Sequence, residues 1–126
     1  MIAELVQRKL YPADYSETTQ VAKAEFSNGD LPKLKKLPEV GSCDKIILIY
    51  PLWWSDLPKP VESFLCSCDL SGKKIYPIVT HGGGGFGNSI ETLKNSTRAE
   101  ILEPLEIYSS DIPSSRKELL NWLEGF

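Results

Sequence analysis

The chain has 126 residues, of which 41% are hydrophobic and 25% charged, and its net charge at pH 7 is −3. This balance fits one globular domain over residues 1–126. The net negative charge does not indicate a basic surface that binds nucleic acid. The apolar runs are far shorter than the roughly 20 residues of a membrane-spanning helix. We therefore expect neither nucleic acid nor a membrane as a partner. Since Met1 leads into an amphipathic strand pattern rather than a basic signal sequence, we expect a cytoplasmic protein.

The three cysteines do not form a pattern typical of metal or redox sites. Cys66 and Cys68 lack the two-residue spacer of such pairs, and Cys43 lies far from them in the sequence. The chain has one histidine to complete a metal site. We therefore predict reduced structural thiols and no bound metal.

The first 40 residues are less regular than the rest of the chain. Residues 2–6 are predicted to form a short strand, and Asp14 with Glu17 to cap a helix that ends near Phe26. Asn-Gly and proline signals then mark a loop. We therefore divide the domain into an irregular N-terminal arm, residues 1–40, and a core, residues 41–126.

The core opens with a continuous apolar run at residues 45–50, which is the pattern of a strand that is covered on both faces in a parallel sheet. An amphipathic helix follows, with Ser55 or Asp56 as its N-cap and Pro58 in its first turn. Its apolar face is predicted to comprise Leu57, Val61, Phe64, Leu65 and Cys68.

The second half of the core continues the alternation of strands and helices. Residues 74–80 are predicted as a strand despite Pro77, and Asn88 or Ser89 is predicted to cap a short helix. Residues 100–108 form an extended pattern that is interrupted at Pro104. The last helix carries a capping box, Ser115 with Glu118, and is predicted to face inward through Leu119, Leu120 and Leu123. This βαβαβα order predicts a parallel sheet with helices on both sides.

Two unusual segments come directly after predicted strands. The first, residues 50–58, contains Trp53 and Trp54, whose wide flat rings each carry an N–H donor. The second, residues 80–87, contains four successive glycines, which let backbone amides approach a ligand closely. Both segments fall at the carboxyl ends of strands, where parallel sheets bind ligands. They predict a site for a planar, heteroatom-rich ring such as a flavin.

These segments resemble those of the flavodoxin-like proteins, in particular a short-chain subset. Its first flavin loop reads Tyr-Pro-x-Trp-Trp, as residues 50–54 do here, and its second reads Thr-His-Gly followed by small residues, as residues 80–87 do. Weaker likeness at residues 11–15, 58–64, 70–73 and 102–112 extends the resemblance over nearly the whole chain. It implies a three-layer α/β fold, with a five-stranded parallel sheet of order 2-1-3-4-5 between helices.

The resemblance also implies noncovalent binding of FMN, and a flavoprotein that serves electron transfer or flavin-dependent reduction. As an enzyme, the protein would be an FMN-dependent oxidoreductase whose redox chemistry belongs to the flavin. The implied partner is a redox protein or a small-molecule acceptor. The positions carried over as cofactor-binding are Pro51, Leu52, Trp53, Trp54, Thr80, His81, Gly82, Gly83 and Gly84.

The sequence departs from the family pattern at its beginning. Family members open with an apolar strand, a Ser/Thr/Gly/Asn-rich loop that cradles the FMN phosphate, and a helix, whereas this sequence starts at what resembles their second strand. We therefore expect an N-terminally truncated fold that lacks the first strand and helix. Charged hydrogen bonds stabilise by about 1.5 to 3 kcal/mol each, so loss of the phosphate loop predicts weak or absent FMN binding.

The missing strand has a structural consequence. In the order 2-1-3-4-5 it would lie between residues 2–6 and residues 45–50, so its absence leaves two unpaired edges in the sheet. We consider two arrangements that cover them. Either the strand at residues 2–6 moves into the gap, or a second copy of the chain pairs with the edge to form a homodimer.

Several alternatives remain open. The chain is either an FMN protein, a flavin-free member of the fold that uses its tryptophan-rich rim as an interaction surface, or a fragment of a complete flavodoxin. Gly82, Gly84 and Gly87 also match the dinucleotide fingerprint, although that motif normally belongs to the first strand–helix turn. His81 is more typical of a satisfied loop histidine than of a catalytic one, and as an active group it would bond a flavin carbonyl or a substrate oxygen.

Overall fold

The computed structural model describes residues 31–125, together with Leu5 and Gln20 as single positions. The strand expected at residues 2–6 and the helix expected through Phe26 lie outside the described residues. The part of the N-terminal arm that is described packs onto the core. Leu34 is buried, and the Ser63 hydroxyl donates a hydrogen bond of 2.6 Å to the Pro32 carbonyl.

The described chain alternates strands and helices in the predicted order. Its elements are β1 (Lys45–Pro51), α1 (Lys59–Ser67), β2 (Lys74–His81), α2 (Ser89–Ser96), β3 (Glu100–Ile101), β4 (Leu105–Tyr108), a 3-10 turn (Ser109–Ser114) and α3 (Arg116–Glu124). The 3-10 turn was not predicted, because its serines and Pro113 indicate only a loop. None of the helices in the described part of the chain is both long and apolar enough to cross a membrane.

The strands form a parallel sheet with β2 at its centre. β1 pairs with one edge of β2 over its whole length, from Lys45 opposite Lys74 to Pro51 opposite Thr80. β3 and β4 both pair with the other edge of β2, so they are two halves of one strand position. This parallel order brings the carboxyl ends of β1, β2 and β4 to the same end of the sheet.

A bulge separates β3 from β4. Ile75 is opposite Ile101 and Ile78 is opposite Leu105, so residues 102–104 face only residues 76 and 77. Pro77 and Pro104 both lie in this interval, and neither has an N–H to donate. The interruption predicted at Pro104 is therefore confirmed, whereas β2 runs through Pro77 and keeps its register with β1.

Helices cover both faces of the sheet, as predicted for a three-layer α/β fold. One face of the sheet packs against α1 and α2. Its buried side chains are Leu48, Tyr50, Ile75 and Val79. The buried side chains of the two helices are Val61, Phe64, Leu65 and Leu93. On the opposite face the Tyr76 ring meets the Trp122 ring of α3 edge to face, with centroids 6.0 Å apart.

The prediction that β1 is covered on both faces is wrong for the described part of the chain. Ile47 is 41% exposed and Ile49 is 64% exposed, while Leu48 and Tyr50 between them are buried. Side chains alternate along a strand, and on the side of Ile47 and Ile49 the contact with α3 is made by Tyr76 of β2. The continuous apolar run therefore predicted the strand correctly, but it did not predict which faces of the strand are covered by other elements.

The predicted helix caps also differ from those observed. α1 begins at Lys59, with Pro58 at the N-cap position and no side-chain cap, rather than at Ser55 or Asp56. Asp56 instead accepts a 2.7 Å hydrogen bond from the neighbouring N–H of Leu57. Ser55 and Asp56 are unavailable as helix caps because both belong to a tight turn that precedes the helix.

The last helix keeps its predicted place but not its predicted contacts. Ser115 is at the N-cap position of α3, yet its hydroxyl donates to the Ile112 carbonyl at 2.8 Å instead of forming the capping box with Glu118. Leu120, predicted to face inward, is 48% exposed, whereas Leu119 and Leu123 are half-buried. This nine-residue helix buries a narrower stripe than its three leucines suggest.

Candidate ligand-binding site

The loop after β1 contains a strained turn. Trp53 and Asp56 exchange two backbone hydrogen bonds of 3.0 Å, and the two residues between them, Trp54 and Ser55, have φ values of 50° and 60°. Positive φ at both central residues is typical of a type I′ hairpin turn, which normally uses Asn and Gly. Residues with a side chain cost about 1 to 3 kcal/mol each in this conformation. The turn leaves Trp54 at its tip, 43% exposed.

The loop after β2 is the polyglycine segment. We call residues 82–88 the glycine loop and residues 52–58 the tryptophan loop. Gly87 donates to the Gly84 carbonyl at 3.1 Å, and Ser89 donates to the Phe86 carbonyl at 3.0 Å as α2 begins. Within the described residues the N–H groups of Gly84 and Gly85 form no hydrogen bond. They are donors available to a ligand.

The two loops are held against each other by backbone contacts. The Leu52 N–H donates to the Thr80 carbonyl at 2.8 Å, and the Asn88 N–H donates to the Ser55 carbonyl at 2.7 Å. A Cβ atom at Gly87 would overlap the Ser55 carbonyl, and one at Gly84 would lie 2.8 Å from Leu52 Cδ2. The close approach of the tryptophan loop therefore requires glycine at these positions.

A buried hydroxyl pair ties the base of the tryptophan loop to the glycine loop. Tyr50, the last core residue of β1, donates from its phenol to Ser89 Oγ at 2.9 Å, and Ser89 donates to the Phe86 carbonyl at 2.6 Å. Burial raises the pKa of the Tyr50 phenol, while the bond to Ser89 lowers it to a smaller degree. The phenol stays protonated at neutral pH and links β1 to the start of α2.

His81 lies behind the glycine loop rather than at the surface. Its residue exposure is 7%, and its Nδ1 accepts a 3.0 Å hydrogen bond from the Gly83 N–H. Its Nε2 is 3.9 Å from Oε1 of Glu106 on β4. The ring also packs edge to face on Tyr108, with centroids 5.4 Å apart. Both ring nitrogens of His81 therefore face groups of the protein.

All the positions carried over as cofactor-binding lie at one end of the sheet, but their exposure differs. Exposed are Pro51, Trp54, Gly82, Gly83 and Gly84. Half-buried are Leu52, Trp53 and Thr80, and His81 is buried. The exposed group combines one aromatic ring with glycine backbone, which is the part of the site that a ligand can reach.

Three residues of this region were not assigned to the flavin site from the sequence, although Glu106 was considered as a ribose-binding acid for the dinucleotide alternative. Ser55 lies in a hairpin turn without an Asn-Gly or Asp-Gly signal, so no local pattern predicts it. Glu106 and Tyr108 approach the glycine loop because β4 places them opposite Val79 and His81. That pairing register depends on the bulge after β3, which the sequence marks only through Pro104.

The arrangement suits a flat heteroaromatic ligand. An exposed indole offers a face for stacking, Leu52 adds apolar surface, and the unpaired glycine amides can donate to ring carbonyls or nitrogens. Among the described residues no group of three or more His, Cys, Asp or Glu side chains is placed to hold a metal ion.

Comparison with known proteins agrees with this geometry. A sequence model of the flavodoxin family matches residues 18–126. Two structures of candidate flavoproteins resemble the chain, one from Bacteroides uniformis (TM-score 0.74, 23% identity, 95% of this chain and 78% of that one) and one from Bacteroides eggerthii (0.71, 22%, 91% and 78%). A flavoprotein from Lactobacillus acidophilus in complex with FMN also matches, with a TM-score of 0.67 and 14% identity over 86% of this chain and 74% of that one. No curated protein matches the chain.

Proposed function

The chain belongs to the flavodoxin family, and from that premise we propose that its tryptophan loop and glycine loop bind the isoalloxazine ring system of FMN. The observation that carries this proposal is the contact between the two loops through the Ser55 carbonyl and the Asn88 N–H at 2.7 Å. It places an exposed indole and available amide donors at the same end of a parallel sheet, where such folds bind ligands.

The residues at the site fit the ring part of the cofactor. Trp54 supplies an exposed aromatic face, and Gly84 and Gly85 supply backbone donors for the carbonyl and nitrogen atoms of the ring. Pro51, Leu52 and Trp53 complete the apolar side of the site. Bound FMN would supply electron transfer or hydride chemistry, and the chain contributes binding, orientation and exclusion of water.

The phosphate end of FMN has no counterpart among residues 31–125. The described strand ends lead into the tryptophan loop, the glycine loop and the serine-containing 3-10 turn, and all three come after the place in the chain order where the resemblance puts the phosphate loop. We therefore expect the ring system to provide most of the affinity, with dissociation constants in the micromolar range or weaker. The proposed partner is a redox protein or a small-molecule electron acceptor that approaches the exposed edge of the flavin.

The first test is an absorbance scan of freshly purified protein before and after addition of FMN, followed by gel filtration. Flavin bands that travel with the protein support the proposal. Titration of FMN against tryptophan fluorescence then gives the affinity. A colourless protein whose fluorescence is unchanged by millimolar FMN contradicts the proposal and favours a flavin-free member of the fold that uses the Trp54 rim as an interaction surface.

A pair of variants localises the site. Trp54→Leu removes the exposed ring and is expected to weaken FMN binding by about tenfold, which is the size of an aromatic stacking contribution. Trp122→Leu is the matched control, because Trp122 packs on Tyr76 at the opposite face of the sheet from the helices that follow the two loops. Equal loss of affinity in both variants would contradict the location proposed.

A further inference from the structure

Three side chains form a cluster next to the glycine loop. His81, Glu106 and Tyr108 come from the ends of β2 and β4, which are neighbours in the sheet. The imidazole is enclosed, with its Nδ1 on Gly83 and its Nε2 toward Glu106. The enclosed imidazole contacts the glycine loop through its Nδ1.

The hydrogen bond between Gly83 and His81 fixes the tautomer of the ring. A backbone N–H can only donate, so Nδ1 must carry a lone pair and the proton of the neutral ring is on Nε2. A proton on Nε2 points toward Oε1 of Glu106, which is 3.9 Å away. The carboxylate thus faces the nitrogen that carries the proton, and the lone pair faces the loop.

Glu106 and Tyr108 also limit the space behind the loop. A Cβ atom at Gly85 would lie 3.2 Å from Oε2 of Glu106, and one at Gly83 would lie 3.9 Å from the Tyr108 hydroxyl. Ser109, which follows β4, donates to the His81 carbonyl at 2.8 Å. The imidazole therefore bonds Gly83, and Glu106 and Tyr108 limit the space at Gly85 and Gly83.

We propose that His81 is a positioning residue for the flavin site: its Nδ1 holds the Gly83 N–H and so sets the conformation in which the glycine loop meets FMN. This inference rests on the function proposed above and differs from direct contact between His81 and the flavin. The ring acts from behind the loop, and Glu106 and Tyr108 hold the ring.

The test uses two amide variants that separate the ring nitrogens. In His81→Asn the side-chain oxygen reaches the place of Nδ1, whereas in His81→Gln the amide extends toward the place of Nε2. We expect FMN to bind about tenfold more tightly to the Asn variant than to the Gln variant, as one hydrogen bond would give. Equal affinities for the two variants would overturn the proposal.

A second measurement needs no FMN. Because the chain has one histidine, the imidazole ¹⁵N signals in the NMR spectrum report His81 alone. We expect the Nε2–H tautomer and a scalar coupling across the hydrogen bond to the Gly83 amide nitrogen, together with slow exchange of the Gly83 amide in wild type and the Asn variant and fast exchange in the Gln variant. The Nδ1–H tautomer would overturn the proposal.

The two measurements also separate failure of this inference from failure of the function. If wild-type protein binds no FMN, the proposed function is overturned, and Gly83 exchange in the two variants still decides whether His81 positions the loop. If wild-type protein binds FMN but Gly83 exchanges equally fast in all three proteins, the role of His81 is overturned and the function stands.

Discussion

The Ser55 carbonyl and the Asn88 N–H, 33 residues apart in the printed sequence, are joined by a hydrogen bond of 2.7 Å. This bond connects a strained hairpin turn to the residue that precedes α2. A positive-φ conformation persists only where its surroundings hold it in place, and here the glycine loop provides that support. The two loops are therefore one structural unit, and a substitution in either loop should alter the conformation of the other.

Gly87→Ala is expected to disrupt this unit. Gly87 has φ 50°, and an added Cβ would overlap the Ser55 carbonyl, so the variant should lose at least about 1 kcal/mol of unfolding free energy and most of its FMN affinity. Urea denaturation and FMN titration measure the two effects. Gly41→Ala, outside both loops, is the control, since nothing lies within 4 Å of its Cβ position and its φ is not positive. A Gly41→Ala loss as large as that of Gly87→Ala would contradict this account.

Ser55→Gly is expected to stabilise the protein. Ser55 has φ 60°, which costs a residue with a Cβ about 1 to 2 kcal/mol and costs glycine little. Part of this gain is offset by the greater freedom of glycine in the unfolded chain, so we expect a net rise of up to about 1 kcal/mol in unfolding free energy. The control is Ser96→Gly at the end of α2, where the same change should destabilise. A fall in stability for both variants would argue against strain at Ser55.

Tyr50→Phe is expected to lower the unfolding free energy by about 1 kcal/mol at neutral pH, because Ser89 Oγ loses its buried donor. Burial raises the pKa of Tyr50 in the folded state, so the folded protein holds this proton more tightly than the unfolded chain. The resulting stability is present below the unfolded pKa, about 10, and is lost as pH rises through the folded value.

Denaturation at several alkaline pH values checks this prediction. Wild type should lose stability steeply above about pH 10, and Tyr50→Phe should show a smaller slope. Tyr108→Phe serves as control, because Tyr108 is largely exposed and its change should stay within about 0.5 kcal/mol. Identical alkaline slopes for wild type and Tyr50→Phe would refute a role for the buried phenol.

The thiol of Cys66 is expected to react slowly. Partial burial and the nearby Glu62 carboxylate raise its pKa, so less thiolate is present at pH 8 than in a free cysteine. In a background of Cys43→Ser and Cys68→Ser, Glu62→Gln should speed the reaction with a chromogenic disulfide reagent, because the negative neighbour is removed and Lys59 loses its ion-pair partner. Glu118→Gln, on α3, should leave the rate unchanged. A slower reaction in Glu62→Gln would contradict the effect of the Glu62 carboxylate on the Cys66 thiol.

The sequence was sufficient for the order of elements and for the end of the sheet at which the two loops lie. The apolar run before Tyr50 and the β-branched run after Lys74 predict two strands, the second despite Pro77, and Pro104 marks the bulge between β3 and β4. Because parallel strands share the direction of their carboxyl ends, the tryptophan and glycine segments had to meet at one end. Their contact follows from topology alone.

The finer features could not be read from local patterns. Ile47 and Ile49 look like core residues in sequence, since apolar composition does not tell which neighbour covers a strand. The hairpin at Trp54 and Ser55 lacks the usual turn residues and exists because Asn88 holds it from another loop. His81 was predicted among the cofactor-binding positions and as more typical of a satisfied loop histidine than of a catalytic one. In the structure its Nδ1 accepts from the Gly83 N–H and its Nε2 faces Glu106 on β4.

The two prolines at the bulge have a consequence for how the sheet opens. Pro77 and Pro104 carry no amide proton, so the ladder between β2 and its outer neighbours is cut into a lower segment at Lys74–Ile75 and an upper one at Ile78–His81. Local unfolding of the upper segment need not disturb the lower one. Hydrogen–deuterium exchange should resolve them as two cooperative units, and a ligand held by the loops should slow exchange in the upper unit alone.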